Sequence, residues 1–352
     1  NKKKDFYEIN SLYVIKRNPL IIDFLNYEND QSLDTLIELK FQYFFNKQIT
    51  INKLSLEEGN NKIKIEKLIL NNEFKVKNFK NIFLNYKDKD NQNNNLSIIR
   101  KNKDYFIQGS LLNANNLIEK IIENNDDKKF DIFENDFKIN LEIDQVLLDN
   151  EHKVKKLNGN FELKNNELKN GNLNAFFSNN KIIKFTINSN QDEKVTTLFL
   201  DKAEPIVKRY KFIKGYEDGS LDFYSQKKGK LAKSTLKIYD FKLKELPALT
   251  KLLTLASLQG IADILSGEGI RFNEFEMNFE NEGNLMTINE IYAIGPAISI
   301  LMDGYVEKNK IISLRGTLVP ATTLNKVIGS IPFLGKILVG SKSGEGVFGV
   351  SF

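Results

Sequence analysis

Apolar and polar residues alternate along most of this chain at the two-residue period of a strand with one wet face. The cleanest run is Phe137-Lys138-Ile139-Asn140-Leu141-Glu142-Ile143-Asp144, and Lys62-Ile63-Lys64-Ile65-Glu66 is equally strict. The frame slips at Lys67-Leu68-Ile69-Leu70, which predicts a bulge. Further strands are expected over Phe6–Ile15, Leu168–Phe177, Lys181–Ile187, Val195–Leu200, Ile270–Phe279, Leu285–Ile294, Ala297–Val306 and Ile311–Val319. Glu58-Gly59-Asn60-Asn61 and Gly283-Asn284 supply turns. Asn158-Gly159 and Asn170-Gly171 carry the dipeptide favoured at positive φ and are expected to be turns as well. Lys87–Asn95 reads as a polar loop.

Helical spacing breaks in at a few places. Leu111–Glu123 places Leu111, Ala114, Leu117, Ile118, Ile121 and Ile122 on one face. Short helices are also expected at Pro19–Leu25 and Ala203–Phe212, and longer apolar ones at Pro247–Leu265 and Leu324–Val339. The count is on the order of 20 strands in hairpin series spaced roughly 8–12 residues apart, the spacing of an all-β chain. The helix-then-strands unit recurs at about Ser110, Asp201 and Lys244. So many strands do not fit one filled barrel. The expected fold is therefore mainly β: an elongated, twisted or curled antiparallel sheet forming a groove, with a few short amphipathic helices.

Composition narrows the chemistry. The chain has 352 residues, 51 basic and 46 acidic, for a net charge of +5. The charges are interspersed with apolar residues, as on the wet face of strands, and do not form the clustered basic face that nucleic acid requires. Cysteine is absent, which removes disulfides and thiol chemistry. The single histidine, His152, sits between Glu151 and Lys153 and is expected to be exposed in a turn. Gly344-Glu345-Gly346-Val347-Phe348-Gly349 has dinucleotide-loop spacing but stands in a β-like run rather than before a helix. Gly329–Lys336 departs from a phosphate loop in spacing and lacks the closing Ser/Thr. With no pocket-forming pair of carboxylates and no Ser–His–Asp set, the residues point to no enzyme, no cofactor and no metal. The chain reads as a fragment of a longer one, open at both ends.

The C-terminal portion carries a more specific pattern. It comprises Leu246-Pro247-Ala248-Leu249, Leu252–Gly260, Gly267-Glu268-Gly269-Ile270-Arg271-Phe272, Gly295-Pro296-Ala297, Arg315–Ala321, Ile331-Pro332-Phe333-Leu334-Gly335 and Gly344–Gly349. On these residues the chain resembles the C-terminal domain of the AsmA-like (YhdP/TamB-type) envelope proteins over roughly Leu200–Phe352. Residues 1–199 agree only in style, as a repetitive β-groove segment. The resemblance implies a periplasmic part of a protein anchored in the inner membrane. It also implies a β-groove that carries phospholipid toward the outer membrane, with membranes or their proteins as partners.

On that reading the lipid-facing candidates are alternating strand positions: Ile139, Leu141 and Ile143; Ile183, Phe185 and Ile187; Phe275, Met277 and Phe279; Ile298, Ile300 and Met302. Membrane-touching or capping candidates are Leu252, Leu253, Ile331, Phe333, Leu334, Ile337 and Leu338. Two other functions fit the residues: a scaffold for outer-membrane assembly with a dry core, and an extracellular β-solenoid adhesin or glycan-active enzyme.

Overall fold

The computed structural model describes residues 2–3, 6–45, 48–123, 133–165, 167–190, 192–209, 214–245, 269–308, 310–320 and 349–350. Among these the chain is mainly β, in mostly antiparallel pairing, and the sheet does not close. Two compact units are present, Asn1–Asn180 and Lys181–Phe352.

The first unit begins with β1 (Lys2–Lys3), β2 (Phe6–Ile15), the small pair β3 (Ile21–Ile22) and β4 (Tyr27–Glu28), then β5 (Thr35–Phe44), β6 (Gln48–Glu58) and β7 (Asn61–Asn71). It continues with β8 (Val76–Asn78), β9 (Asn81–Lys87), β10 (Asn93–Lys101) and β11 (Asp104–Asn113). The helix α1 (Asn115–Glu123) follows, then β12 (Phe137–Leu147), β13 (Lys153–Lys164) and β14 (Glu167–Phe176). Neighbouring strands are hydrogen-bonded in the order β1, β2, β5, β6, β7, β9, β10, β11, β12, β13, β14, with β8 beside the far end of β7. Every pair is antiparallel except β11–β12, which is parallel. A parallel neighbour needs a crossover, and the segment containing α1 lies in that connection.

The second unit is β15 (Ile182–Asn190), β16 (Glu193–Leu200), the one-turn helix α2 (Glu204–Val207), β17 (Lys214–Lys228), β18 (Leu231–Glu245), β19 (Ile270–Glu282), β20 (Leu285–Ile294), β21 (Ile298–Glu307), β22 (Ile311–Pro320) and β23 (Gly349–Val350). Each pairs antiparallel with the next strand in the chain. This is a meander, in which each strand pairs with its sequence neighbour.

Turn chemistry explains where the hairpins close. Gly59-Asn60 and Gly283-Asn284 are the two-residue connections of β6–β7 and β19–β20, with φ of 52° and 59° at the glycines. The expected irregularity at Lys67 is present as a left-handed residue, φ 51°. N-terminal to it β7 pairs with β9, and C-terminal to it with β8.

Several expectations are corrected. Asn158-Gly159 and Asn170-Gly171 are not turns; they lie inside β13 and β14. Gly171 faces Phe161, and a Cβ there would come within 2.3 Å of the ring, so the glycine makes room for the aromatic across the ladder. The helix expected from Leu111 starts at Asn115, because Leu111–Asn113 still pair with β12. Pro19–Leu25 forms β3 and a 3-10 turn, Asp23–Leu25, in place of a helix. The loop expected over Lys87–Asn95 shrinks to residues 88–92. The buried Asp88 fixes it, accepting from the backbone N–H groups of Asp90 (3.0 Å) and Gln92 (2.9 Å) and from the Asn94 amide (3.0 Å).

His152 is buried, at 8% exposure. Its Nδ1 lies 2.9 Å from Asp149, whose other oxygen accepts from the Glu151 and His152 backbone N–H groups at 2.8 and 2.6 Å. Burial raises the Asp149 pKa, but these hydrogen bonds outweigh it and hold the carboxyl below its ordinary range. The ring is a turn-closing group, which a lone histidine between charged neighbours does not announce.

Candidate functional site: an apolar face in each unit

Directly opposed residues in a ladder share a face, so the register maps each surface. In the second unit one row runs Ile183–Leu200–Leu221–Ile238–Phe275–Ala293–Ile300–Leu318 across eight strands. The next row is Phe185–Leu198–Phe223–Leu236–Met277–Ile291–Met302–Gly316. The third is Ile187–Thr196–Ser225–Ser234–Phe279–Ile288–Gly304–Leu314. At about 4.8 Å per strand each row covers about 34 Å. Register shifts between Asn278 and Phe279 and between Ile288 and Ile291 keep both isoleucines on this face although they are three residues apart.

The first unit repeats the arrangement. One row is Ile37–Leu56–Ile63–Leu84–Leu96–Gly109–Ile143–Leu157 and the next is Leu39–Leu54–Ile65–Ile82–Ile98–Ile107–Leu141–Gly159–Leu173. The parallel step from β11 to β12 preserves the face.

All twelve lipid-facing candidates therefore fall on the apolar face of their unit. Ile139, Leu141 and Ile143 share the first unit's face. Ile183, Phe185, Ile187, Phe275, Met277, Phe279, Ile298, Ile300 and Met302 share the second's. Burial is uneven among them: Ile143, Ile183, Ile187 and Ile298 are buried, and the other eight are half-buried. The half-buried positions concentrate in the row containing Leu141 and the row containing Met277. Leu39, Leu54, Ile65, Ile82, Ile98 and Ile107, like Phe185, Leu198, Phe223, Leu236 and Met302, all keep part of their surface open, whereas Ile291 in the Met277 row is buried. The core of a two-layer domain buries both of its apolar faces against each other; these rows are covered on one side only in part. The candidates Leu252, Leu253, Ile331, Phe333, Leu334, Ile337 and Leu338, with the two long apolar segments that hold them, lie outside the described residues.

Each face ends in an aromatic cluster. In the second unit Tyr216, Phe241 and Phe272 stack in series at 5.6 and 5.4 Å, and Phe275 meets Phe241 edge-on at 6.4 Å. Pro205 and Val207 of α2 are also buried. Gly219, with φ 82°, passes so close that a Cβ would lie 2.6 Å from the Tyr216 hydroxyl. In the first unit Phe79, Tyr105, Phe137 and Leu163 form the corresponding cluster, with Phe79 and Tyr105 stacked at 4.4 Å.

The reverse faces are polar and cross-linked. Lys237 pairs with Glu276 at 2.7 Å, and Tyr292 donates to Glu276 at 2.7 Å. Lys233 meets Glu280 at 3.0 Å, and Arg315 meets Asp303 at 2.9 Å. In the first unit Glu38 pairs with Lys40 at 2.7 Å and with Lys53, Lys64 reaches Glu66 at 2.6 Å, and Lys62 reaches Glu57 at 2.6 Å.

These pairs set the pH response. Lys40 and Lys53 hold Glu38 down to about 2. Lys62 lowers Glu57, Lys64 and Asn81 lower Glu66, and Asn170 and Lys164 lower Glu162. Burial raises Glu276, but Lys237, Tyr292 and Asn278 overcome it, and the net shift is downward. Depressed carboxylates contribute stability that is full above their unfolded pKa, near 4.5, and is lost as pH falls through the folded values. Thermal melts should therefore be flat from pH 8 to about pH 5 and drop steadily toward pH 2. A melting temperature unchanged between pH 6 and pH 2.5 would contradict this assignment.

Among the described residues no helix is long and apolar enough to cross a membrane, and no group of three or more acidic or histidine side chains could hold a metal ion. No family model, no curated protein and no solved structure matches the chain.

Proposed function

We propose that the chain is a non-enzymatic lipid-handling protein of the cell envelope, whose apolar sheet faces carry phospholipid acyl chains between the inner and outer membranes. The observation that carries this reading is the half-buried central row of each unit. Rows of Leu, Ile, Met and Phe that stay partly open, interrupted in the second unit by the buried Ile291, give an acyl chain apolar contact across the strands, with a polar, ion-paired surface on the reverse. The energetic need is plain. Moving about 30 methylenes through water costs on the order of 20 kcal/mol at about 0.8 kcal/mol each. An apolar face removes most of that barrier. The resemblance of Leu200–Phe352 to AsmA-like envelope proteins points the same way.

A photo-crosslinking amino acid placed at Leu141 or Met277, in cells whose phospholipids carry radioactive phosphate, should capture labelled lipid. The same amino acid at Gln108 or Thr235, on the reverse faces, should capture little. Equal labelling from both faces, or none from either, would count against lipid carriage.

A further inference from the structure

Arg100 breaks the pattern of the first unit's apolar face. It continues the parity of Leu96 and Ile98 along β10, so it stands on the same side as they do, directly opposite Tyr105 of β11. Its Nε–H is buried and finds no acceptor. A cavity of about 510 Å³ opens beside it, lined in part by Lys77, Lys103, Tyr105, Phe133 and Phe137. That volume is in the range that holds a small ligand.

Two carboxylates, Glu134 and Asp136, also line the cavity, and each already has a partner. Glu134 lies 3.9 Å from Lys77, and Asp136 accepts the backbone N–H of Asn165 at 2.8 Å. Among the described residues no carboxylate lies within ion-pair distance of Arg100 or Lys103. The wall is fixed in place: Phe133 bridges to Val76, the Glu134 N–H donates to the Val76 carbonyl at 3.0 Å, and the Asn135 amide donates to the Lys77 carbonyl at 3.1 Å. The backbone N–H of Arg100 donates to the Lys80 carbonyl at 3.0 Å.

A guanidinium with a buried, unmatched donor costs free energy unless an anion meets it. Arginine's planar fork suits phosphate oxygens. Tyr105, Phe133 and Phe137 in the lining are aromatic and belong to or pack on the apolar cluster of Phe79, Tyr105 and Phe137. Cation and apolar surface thus meet at one end of the face.

We propose that this cavity takes a phosphate-bearing head group, with Arg100 donating to its oxygens, Lys103 adding a second positive charge, and the attached chains lying on the apolar rows. The head-group assignment rests on the lipid reading; the anion site does not. Titration calorimetry on the purified chain tests both, with three probes: dihexanoyl phosphatidate, uncharged dihexanoylglycerol, and inorganic phosphate. Arg100→Gln should weaken phosphatidate binding at least tenfold, and Lys103→Gln, at an exposed position, about threefold. Neither should change binding of dihexanoylglycerol.

Inorganic phosphate bound with the same dependence on Arg100 would uphold the anion site and make free phosphate its ligand. Phosphate binding without any dihexanoylglycerol binding would uphold the site and sink the lipid reading. Unaltered affinity for both charged probes in Arg100→Gln, or no binding of either by the native chain, would overturn the proposal. If Arg100→Gln fails to fold, Lys103→Gln decides: unaltered phosphatidate affinity in that variant would overturn the proposal.

Discussion

The double variant Met277→Asp, Met302→Asp should retain the fold and lose at least four-fifths of the phospholipid that the native chain carries, about a fivefold reduction. Both methionines lie in the central row of the second unit, on β19 and β21, with Ile291 of β20 between them. Both are half-buried, so an aspartate at either position can keep water at its carboxylate and the sheet need not open. An acyl chain laid along the row would have to strip that water. Desolvating an ionised carboxylate costs several kcal/mol, more than the few methylenes in contact with it return. Ser313→Asp, on the reverse face, is the control and should leave the lipid content unchanged. Phospholipid is counted per folded chain, with the circular dichroism spectrum as the check on folding. Undiminished lipid in the double variant would remove this face from the carrying path.

Phe272→Ala should cost about 3–5 kcal/mol of unfolding free energy, the range for deleting a fully buried aromatic. Phe272 is 1% exposed and is stacked on Phe241, which stacks in turn on Tyr216. Ile270 beside it is also 1% exposed. Phe275, three residues on and half-buried, should cost only about 1–2 kcal/mol on the same substitution, since part of its surface is already in water. Urea unfolding of the two variants separates a dry, packed end of the face from an open stretch beside it. Equal losses would mean that both positions belong to one sealed core, as the scaffold alternative requires.

Much of this arrangement is legible in the sequence because strand periodicity is local. Lys62–Glu66 and Phe137–Asp144 declare their apolar sides residue by residue, and Gly283-Asn284 marks a hairpin by backbone chemistry alone. Within the second unit the candidates taken from three separate strand segments share a face because alternation fixes parity within a strand, and hairpin pairing carries parity to the next. What escapes is whatever depends on register across strands. Asn170-Gly171 has the composition of a turn, yet the Phe161 ring opposite it is what demands the glycine. The shift between Ile288 and Ile291 hides two face residues behind a broken period. His152 is buried by Asp149 and the turn around it, which neighbouring charges conceal. Arg100 looks like one more strand-end cation until its pairing with Tyr105 places it on the apolar side.

Mass spectrometry of organic extracts from the purified chain, beside an identically washed control protein, tests lipid carriage most directly. The expected result is several phospholipid molecules per folded chain and none on the control. A folded, monomeric, lipid-free chain would contradict the account.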